Sequence, residues 1–234
     1  MALLRVLAGR RLPVATPVPL TAGDRSQDEP LGRSHVALSR LPGQLLPREQ
    51  ATSPRSEPIV IGQLGRLLDA LAGLGADPAV RKAAPGPDPD HWVRFAREVT
   101  RVLFPLMSPP GRQRAEAELA RVTAVDPAGT ALVHGDLGGS NLLWDVTEAG
   151  PRLTGVLDWD EAHLGHQAED LASLAATFGW DLAGRLDARR HAGHRPTIGD
   201  AQAIAATFAL QQALPAALSG DRAMLADGLA GYAG

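Results

Sequence analysis

The chain has 234 residues, of which 44% are hydrophobic and 21% charged, and its formal net charge at pH 7 is −3. These values are typical of a soluble globular protein that buries one core or two small lobes. The small net charge gives no electrostatic basis for binding nucleic acid or an anionic membrane. No stretch approaches the ~20 apolar residues of a membrane span. Cysteine is absent, which excludes disulfides and thiolate chemistry and agrees with a reducing, cytoplasmic location.

The first part of the chain predicts little regular structure. We expect, in order, the end of a helix, an extended proline-bearing segment, a polar loop and a short strand in residues 1–8, 12–20, 21–33 and 35–41. Pro42 and Gly43 end that strand. Residues 47–58 are polar and contain proline, so they predict a linker between two lobes.

The middle of the chain predicts helices. Apolar residues recur with helical spacing over residues 59–74. A second helix places Trp92, Phe95 and Val99 on one face. The sequence Pro-Pro-Gly at 109–111 predicts a break, after which residues 112–123 form a charged helix.

The second half predicts a short strand, a hairpin and a helical remainder. Residues 131–133 form a buried strand that leads into a polar, glycine-containing loop. A hairpin begins at 141–144, turns near 148–150 and returns over 153–157. The remainder is rich in alanine and predicts helices over residues 168–178, 200–214 and 221–232.

The loop and the hairpin carry the spacing of a phosphoryl-transfer site. Asp136 is followed five residues later by Asn141, and Asp158 ends the apolar return strand. In such sites the first Asp orients the attacking hydroxyl, and the Asn and the later Asp hold the magnesium of a nucleoside triphosphate. Amide and carboxylate oxygens suit this hard cation. Loop residues that only form turns are the alternative explanation.

Neighbouring residues have open roles. His134 either braces the loop by hydrogen bonding or acts in catalysis, and bracing is favoured because Asp136 and Asn141 already fill the chemical roles. Asp160 either contacts metal or substrate or is a solvated acid, and in extended chain it faces the same side as Asp158. Glycines in the loop permit tight backbone geometry; these are Gly135, Gly138 and Gly139.

Three motifs together resemble the aminoglycoside phosphotransferase family, in residues 134–143, 155–160 and 165–172. The resemblance implies an α+β, protein-kinase-like fold with two lobes, here a truncated small β lobe and a mainly helical C-terminal lobe. The implied divisions are an N-lobe remnant at 1–46, the linker at 47–58 and the C-lobe at 59–234.

The resemblance also implies roles for individual residues. Asp136 is the implied catalytic base, and Asn141 and Asp158 are the implied magnesium ligands. Asp170 is the implied structural acid that ties the loop after Asp158 to the following helix. The chain has Gly-His-Gln at 165–167, where the family often has Gly-Asp-Pro, and we expect this departure to affect packing more than chemistry.

Part of the family's nucleotide lobe has no counterpart in the sequence. Residues 1–7 align with the end of an N-lobe helix, no Gly-x-Gly-x-x-Gly occurs, and the one lysine, Lys82, falls in the C-lobe. Lost phosphate contacts remove transition-state stabilisation. We therefore expect an N-terminally truncated phosphotransferase with weak or absent ATP turnover, as would follow from a misassigned start, a degraded gene or a true pseudokinase.

The predicted function is transfer of the γ-phosphate of ATP or GTP, with Mg²⁺, to a hydroxyl of a small molecule. The alternative is a non-catalytic, pseudokinase-type binding protein. The acids beside the motif suit a cationic acceptor such as an aminoglycoside, but metal binding alone accounts for them. A zinc site formed by His163, His166, His191 and His194 is disfavoured, because it has no cysteine ligand. The sequence gives no indication of oligomeric state.

Overall fold

Helices dominate the residues that the computed structural model describes, which are 2–20, 37–126, 129–190 and 197–233. In chain order the helices are α1 (Ala2–Ala8), α2 (Arg48–Ala51), α3 (Glu57–Leu74), α4 (Pro78–Ala83), α5 (His91–Val102), α6 (Pro109–Val122), α7 (Ala168–Phe178), α8 (Trp180–Arg190), α9 (Ile198–Ala205), α10 (Phe208–Ser219) and α11 (Arg222–Gly228). The strands are β1 (Ala131–Val133), β2 (Leu142–Thr147), β3 (Gly150–Val156) and β4 (His163–Gly165). The α+β class predicted from the sequence is confirmed.

The predicted helix at the start of the chain is present as α1, and it packs against α4. Leu3, Leu4 and Leu7 are buried along one face of α1. Just after this helix, the Arg10 guanidinium is 2.6 Å from the Asp77 carboxylate. The sequence analysis did not predict α4, although Asp77 caps its first turn by accepting from the backbone N–H groups of Ala79 and Val80.

Extended segments follow α1 and meet the hairpin. Ala15 forms a parallel bridge with Gly155, and Gln44 forms an antiparallel bridge with Trp144. The predicted loop at 21–33 lies outside the described residues, as do the first two residues of the predicted strand at 35–41. The described part of that strand contributes a single antiparallel bridge, from Leu38 to Pro19.

The predicted linker at 47–58 contains α2 and the first residues of α3. Helix α3 begins two residues before the predicted range because Pro58 occupies the first turn, where its missing N–H group costs no hydrogen bond. Its apolar face is buried against α8, β1 and β3, as predicted from its spacing. The division of the chain at 46 and 58 stays a prediction.

Helix α6 begins at Pro109, so the predicted break at 109–111 is wrong. Both prolines lie in the first turn of the helix, and the Ser108 hydroxyl caps this turn by accepting from the N–H of Gly111. Proline is favoured at the start of a helix for the same reason that it breaks a helix interior. The predicted helix around Trp92, Phe95 and Val99 is confirmed as α5.

The C-terminal helices differ in part from prediction. Helix α7 has the predicted bounds, but α8 was not predicted. The single helix expected over 200–214 is two helices, because the chain turns at Thr207, whose hydroxyl donates to the Ile204 carbonyl at 2.7 Å. The helix expected over 221–232 ends at Gly228.

Two short antiparallel sheets position the polar loop. Strands β2 and β3 form the predicted hairpin, and β1 pairs with β4, which was not predicted. The end of β1 leads into the loop at 134–141, and the end of β3 leads to Asp158. Within the described part of the chain, no helix is long and apolar enough to span a bilayer.

Candidate active site

The loop between β1 and β2 is fixed at its start by a buried carboxylate on α7. Asp170 is fully buried and accepts hydrogen bonds from the main-chain N–H groups of His134, at 3.1 Å, and Gly135, at 3.0 Å. Burial raises the pKa of Asp170 to about 7, while the two N–H donors lower it. The family resemblance implied that Asp170 ties the loop after Asp158 to the following helix. The structure corrects this, because its carboxylate binds the loop at 134–135.

His134 braces the loop from inside the core. Its side chain is fully buried, with Nε2 2.8 Å from the Leu157 carbonyl oxygen. The Asp136 N–H donates to Nδ1 at 3.3 Å, so the ring proton is on Nε2 and is donated to Leu157. Burial lowers the pKa of His134, and the nearby carboxylates of Asp136 and Asp158 oppose this effect. A neutral, doubly hydrogen-bonded imidazole suits bracing better than proton transfer.

Asp136 and Asn141 are in direct contact. The Asn141 amide nitrogen donates to the main-chain oxygen of Asp136 and to its carboxylate, both at 2.9 Å. The main-chain oxygen of Asn141 accepts from the N–H of Leu157 at 2.9 Å, next to Asp158. The structure therefore brings the two ends of the predicted motif to one place, while the carboxylate of Asp136 remains exposed to solvent.

Asp158 and Asp160 flank a buried tryptophan. Both carboxylates are exposed, and Trp159 between them is only 5% exposed. The Trp159 ring lies 4.8 Å from the His134 ring, and its Nε1 donates to the Val156 carbonyl. Asp158 has a φ of 55°, in the left-handed region, which an L residue adopts only when its surroundings hold it there.

The three glycines of the loop do not share one structural explanation. Gly135 has a φ of +85°, and a side chain there would place its Cβ 2.7 Å from the Glu161 carbonyl oxygen. Gly138 has a φ of −84°, which any residue adopts, so tight geometry does not explain this glycine. Gly139 lies against Thr177 of α7, where a Cβ would have no room.

Two adjoining cavities surround the motif. The larger one, of about 960 Å³, is lined by Asp136 and by residues of the same loop. The smaller one, of about 360 Å³, is lined by Asp160 and by residues of α5 and β4. Residues lining both cavities are Gly135, Glu161, Ser173, Phe208 and Gln211. Glu161 is thus an acid common to the two cavities.

A histidine–glutamate pair in the smaller cavity was missed by the sequence analysis. His163 Nδ1 is 2.9 Å from the Glu161 carbonyl oxygen, and Nε2 is 3.3 Å from the Glu169 carboxylate. His166 instead lies 3.8 Å from the Asp200 carboxylate. No cluster of three or more potential metal-binding His, Cys, Asp or Glu residues occurs among the described residues. His191 and His194 lie outside them.

The metal assignment of Asn141, Asp158 and Asp160 stays a prediction. The described structure places Asp160 on the smaller cavity and Asp136 on the larger one. Lys82 is exposed on α4 and lines neither cavity. No sequence pattern predicts Thr177, whose hydroxyl accepts a hydrogen bond from the N–H of Gly139 at 2.8 Å.

The chain is similar in sequence and in fold to known phosphotransferases. Viomycin phosphotransferase of Streptomyces vinaceus is 46% identical over 230 residues, which are 98% of this chain and 79% of that protein. The structure of the GDP complex of an aminoglycoside 2'-phosphotransferase has a TM-score of 0.80 at 20% identity, over 98% of this chain and 77% of that chain.

A macrolide 2'-phosphotransferase has a TM-score of 0.72 at 24% identity, over 100% of this chain and 77% of that one. These similarities confirm the predicted protein-kinase-like fold. Residues 1–216 match the sequence model of the phosphotransferase enzyme family (APH). The resemblance found in the loop and hairpin motifs therefore holds along most of the sequence, and the chain belongs to this phosphotransferase family.

Proposed function

We propose that the protein transfers the γ-phosphate of ATP or GTP to a hydroxyl group of a small-molecule antibiotic, with Asp136 as the catalytic base. The observation that carries this proposal is the contact between Asp136 and Asn141, beside His134 and Asp158. Membership of the family and the nucleotide-bound structural relative support a nucleotide donor. All the relatives named above are phosphotransferases, which gives no support to a non-catalytic binding protein.

Asp136 is placed to accept the proton of the attacking hydroxyl. Its carboxylate is exposed to the larger cavity and oriented by the Asn141 amide. In the proposed step the hydroxyl oxygen forms a bond to the γ-phosphorus as the bond to the β-phosphate oxygen breaks. The hydroxyl proton passes to Asp136, and the nucleoside diphosphate leaves. Such a transfer depends on positioning and on charge stabilisation more than on covalent catalysis.

The residues present fit a magnesium ion. Asn141 uses its amide nitrogen for Asp136, which leaves the amide oxygen for a cation, and Asp158 supplies an exposed carboxylate. Both are oxygen ligands of the kind that Mg²⁺ prefers. When bound, the ion neutralises negative charge on the transferred phosphate. Asp160 is a further candidate ligand, and its place on the smaller cavity also suits contact with the acceptor.

The acceptor is proposed to enter the smaller cavity. This cavity joins the larger one at Gly135 and Glu161, close to Asp136 along the loop. Viomycin is the first acceptor to test, because the relative named after it is 46% identical over nearly the whole chain. The aminoglycoside and macrolide enzymes resemble the protein at 20% and 24% identity, so their acceptors are second choices.

The direct test is phosphorylation of viomycin by the purified chain with MgCl₂ and either ATP or GTP, detected as one added phosphoryl group by mass spectrometry. We expect transfer to viomycin, and the measured rate tests whether turnover is weak, as the sequence predicts. Asp136→Asn should abolish transfer and retain nucleotide binding. Asp145→Asn is the matched control, because Asp145 is a surface residue of β2 that pairs with Arg152. Unchanged transfer by Asp136→Asn would refute the proposal, and nucleotide binding without any transfer would favour the non-catalytic alternative.

A further inference from the structure

We propose that Thr177 is a positioning residue of the phosphotransfer reaction, and that its hydroxyl fixes the second half of the loop that carries Asp136. The inference rests on the proposed role of Asp136 as the base. Thr177 lies near the C-terminal end of α7 and on the wall of the larger cavity. It is outside the motifs that identify the family in the sequence.

The hydrogen bonds of Thr177 have a fixed direction. Its hydroxyl donates its proton to the Ser173 carbonyl oxygen at 3.2 Å, within α7. With that proton used, an oxygen lone pair accepts from the main-chain N–H of Gly139 at 2.8 Å. A hydroxyl has one donor and two acceptor positions, so this arrangement satisfies both contacts. The helix therefore presents a directed acceptor to the loop.

The loop also fits sterically against Thr177. A Cβ at Gly139 would lie 2.4 Å from the Thr177 Cγ2 atom, closer than nonbonded atoms approach. The loop main chain therefore touches the helix directly at this point, which explains why residue 139 has no side chain. The helix blocks movement of the loop towards it, and movement of the loop away from the helix breaks the hydrogen bond.

Helix α7 consequently holds both ends of the loop. Asp170, in its first turn, binds the N–H groups at the start of the loop, and Thr177, about two turns later, binds Gly139. Asp136 lies between these two attachments. Gly139 begins a 3₁₀ turn that ends at Asn141, whose amide orients the Asp136 carboxylate. Losing the second attachment frees this turn, and with it the orientation of both polar side chains.

The proposal is tested with Thr177→Val, which keeps the shape and removes the acceptor, and Thr177→Ser, which keeps the acceptor. Thr100→Val is the control, since Thr100 is exposed and its hydroxyl donates to the Ala96 carbonyl within its own helix. With viomycin and ATP as substrates, we expect Thr177→Val to lower kcat by about tenfold to a hundredfold, because small misplacements of catalytic groups have effects of this size. KM for viomycin should change much less, Thr177→Ser should restore most of kcat, and Thr100→Val should match the wild type.

A second measurement does not depend on turnover. Hydrogen–deuterium exchange of the segment 134–141, measured where each variant is fully folded, should be faster in Thr177→Val than in the wild type, and close to wild type in Thr177→Ser. Wild-type exchange of this segment in Thr177→Val would overturn the proposal, as would equal losses of kcat in the Val and Ser variants. Asp136→Asn distinguishes failure of the proposed function from failure of the positioning role. If Asp136→Asn retains transfer, Asp136 is not the base. If Asp136→Asn loses transfer while Thr177→Val is fully active, only the positioning role of Thr177 is rejected.

Discussion

The imidazole of His163 lies 3.3 Å from the carboxylate of Glu169 and connects β4 with the first turn of α7. The hydrogen bond to Glu169 is the main reason that the pKa of His163 is raised to about 9, and burial opposes the increase. The charged groups around this ring are Glu169 and Asp170 on α7 and His91 on α5. The pair is next to Asp170, which holds the loop at its start.

This pair predicts a loss of stability at alkaline pH. The folded-state pKa of His163 is above the ordinary value of 6.5, so its contribution is complete below about pH 6.5 and is lost as the pH rises through about 9. We expect the thermal midpoint to fall over this range, and to fall less in His163→Gln. His166→Gln is the matched control on the same segment. An identical pH dependence in wild type and His163→Gln would contradict the prediction.

Asp170→Asn should destabilise the protein by about 1–3 kcal/mol, the cost of leaving a buried donor without its acceptor. The asparagine amide offers one oxygen to two N–H donors, and its NH₂ group faces one of them. Urea unfolding measures the change, and transfer activity should fall with it because the start of the loop is released. Glu169→Gln at the adjacent position is the comparison, and a larger stability loss there than in Asp170→Asn would count against the assignment.

Asn141→Ala should raise the Mg²⁺ concentration needed for half-maximal activity by at least about tenfold, since even outer contacts of metal sites have effects of this size. The change removes the proposed oxygen ligand and also frees the Asp136 carboxylate, so kcat should decrease as well. A magnesium titration at saturating nucleotide measures both quantities. Asp145→Asn, at the surface residue of β2 that pairs with Arg152, should leave the titration unchanged. If Asn141→Ala has the magnesium dependence of the wild type, Asn141 is not a magnesium ligand.

Tyr232→Phe should lower the free energy of unfolding by about 1–3 kcal/mol. The Tyr232 hydroxyl donates to Glu118 at 2.5 Å, and the Glu118 side chain is buried. Removing the hydroxyl therefore leaves a desolvated carboxylate oxygen of Glu118 without that donor. Arg114 also bonds Glu118, at 2.8 Å, and limits the effect. Urea unfolding gives the magnitude. Catalysis at the distant loop should be preserved in the folded variant, and a selective loss of kcat would contradict a purely structural role.

The sequence predicts the parts of the fold that depend on local patterns. Helix α3 buries one continuous apolar face, so its spacing shows in the sequence, and the β2–β3 hairpin has a clear turn between apolar strands. Helices α4 and α8 were missed because one is short and the other is rich in arginine and aspartate. Tertiary contacts stabilise them: α4 packs against α1, and α8 packs against α3 and α7.

In the candidate site, too, the sequence predicts residues that form a local pattern and misses residues that meet only through tertiary packing. Asp136, Asn141 and Asp158 are recognisable because their spacing along the chain follows from the chemistry. Thr177 and the His163–Glu169 pair have no such spacing, since their roles arise only when α7 is packed against the loop. The anchoring of Asp170 to the loop start was misassigned for this reason. Sequence identifies which residues are chemically suited, and packing decides which loop each of them holds.

The backbone of Asp158 sets two requirements of the protein against each other. At a φ of 55° most L residues are disfavoured by roughly 1–2 kcal/mol and aspartate by less than most, whereas glycine adopts this conformation freely. A selection for thermal stability alone would therefore favour glycine at this position and eliminate the carboxylate. From the proposed role of Asp158 in magnesium binding, we expect a variant stabilised by glycine at this position to fold well and to lose activity.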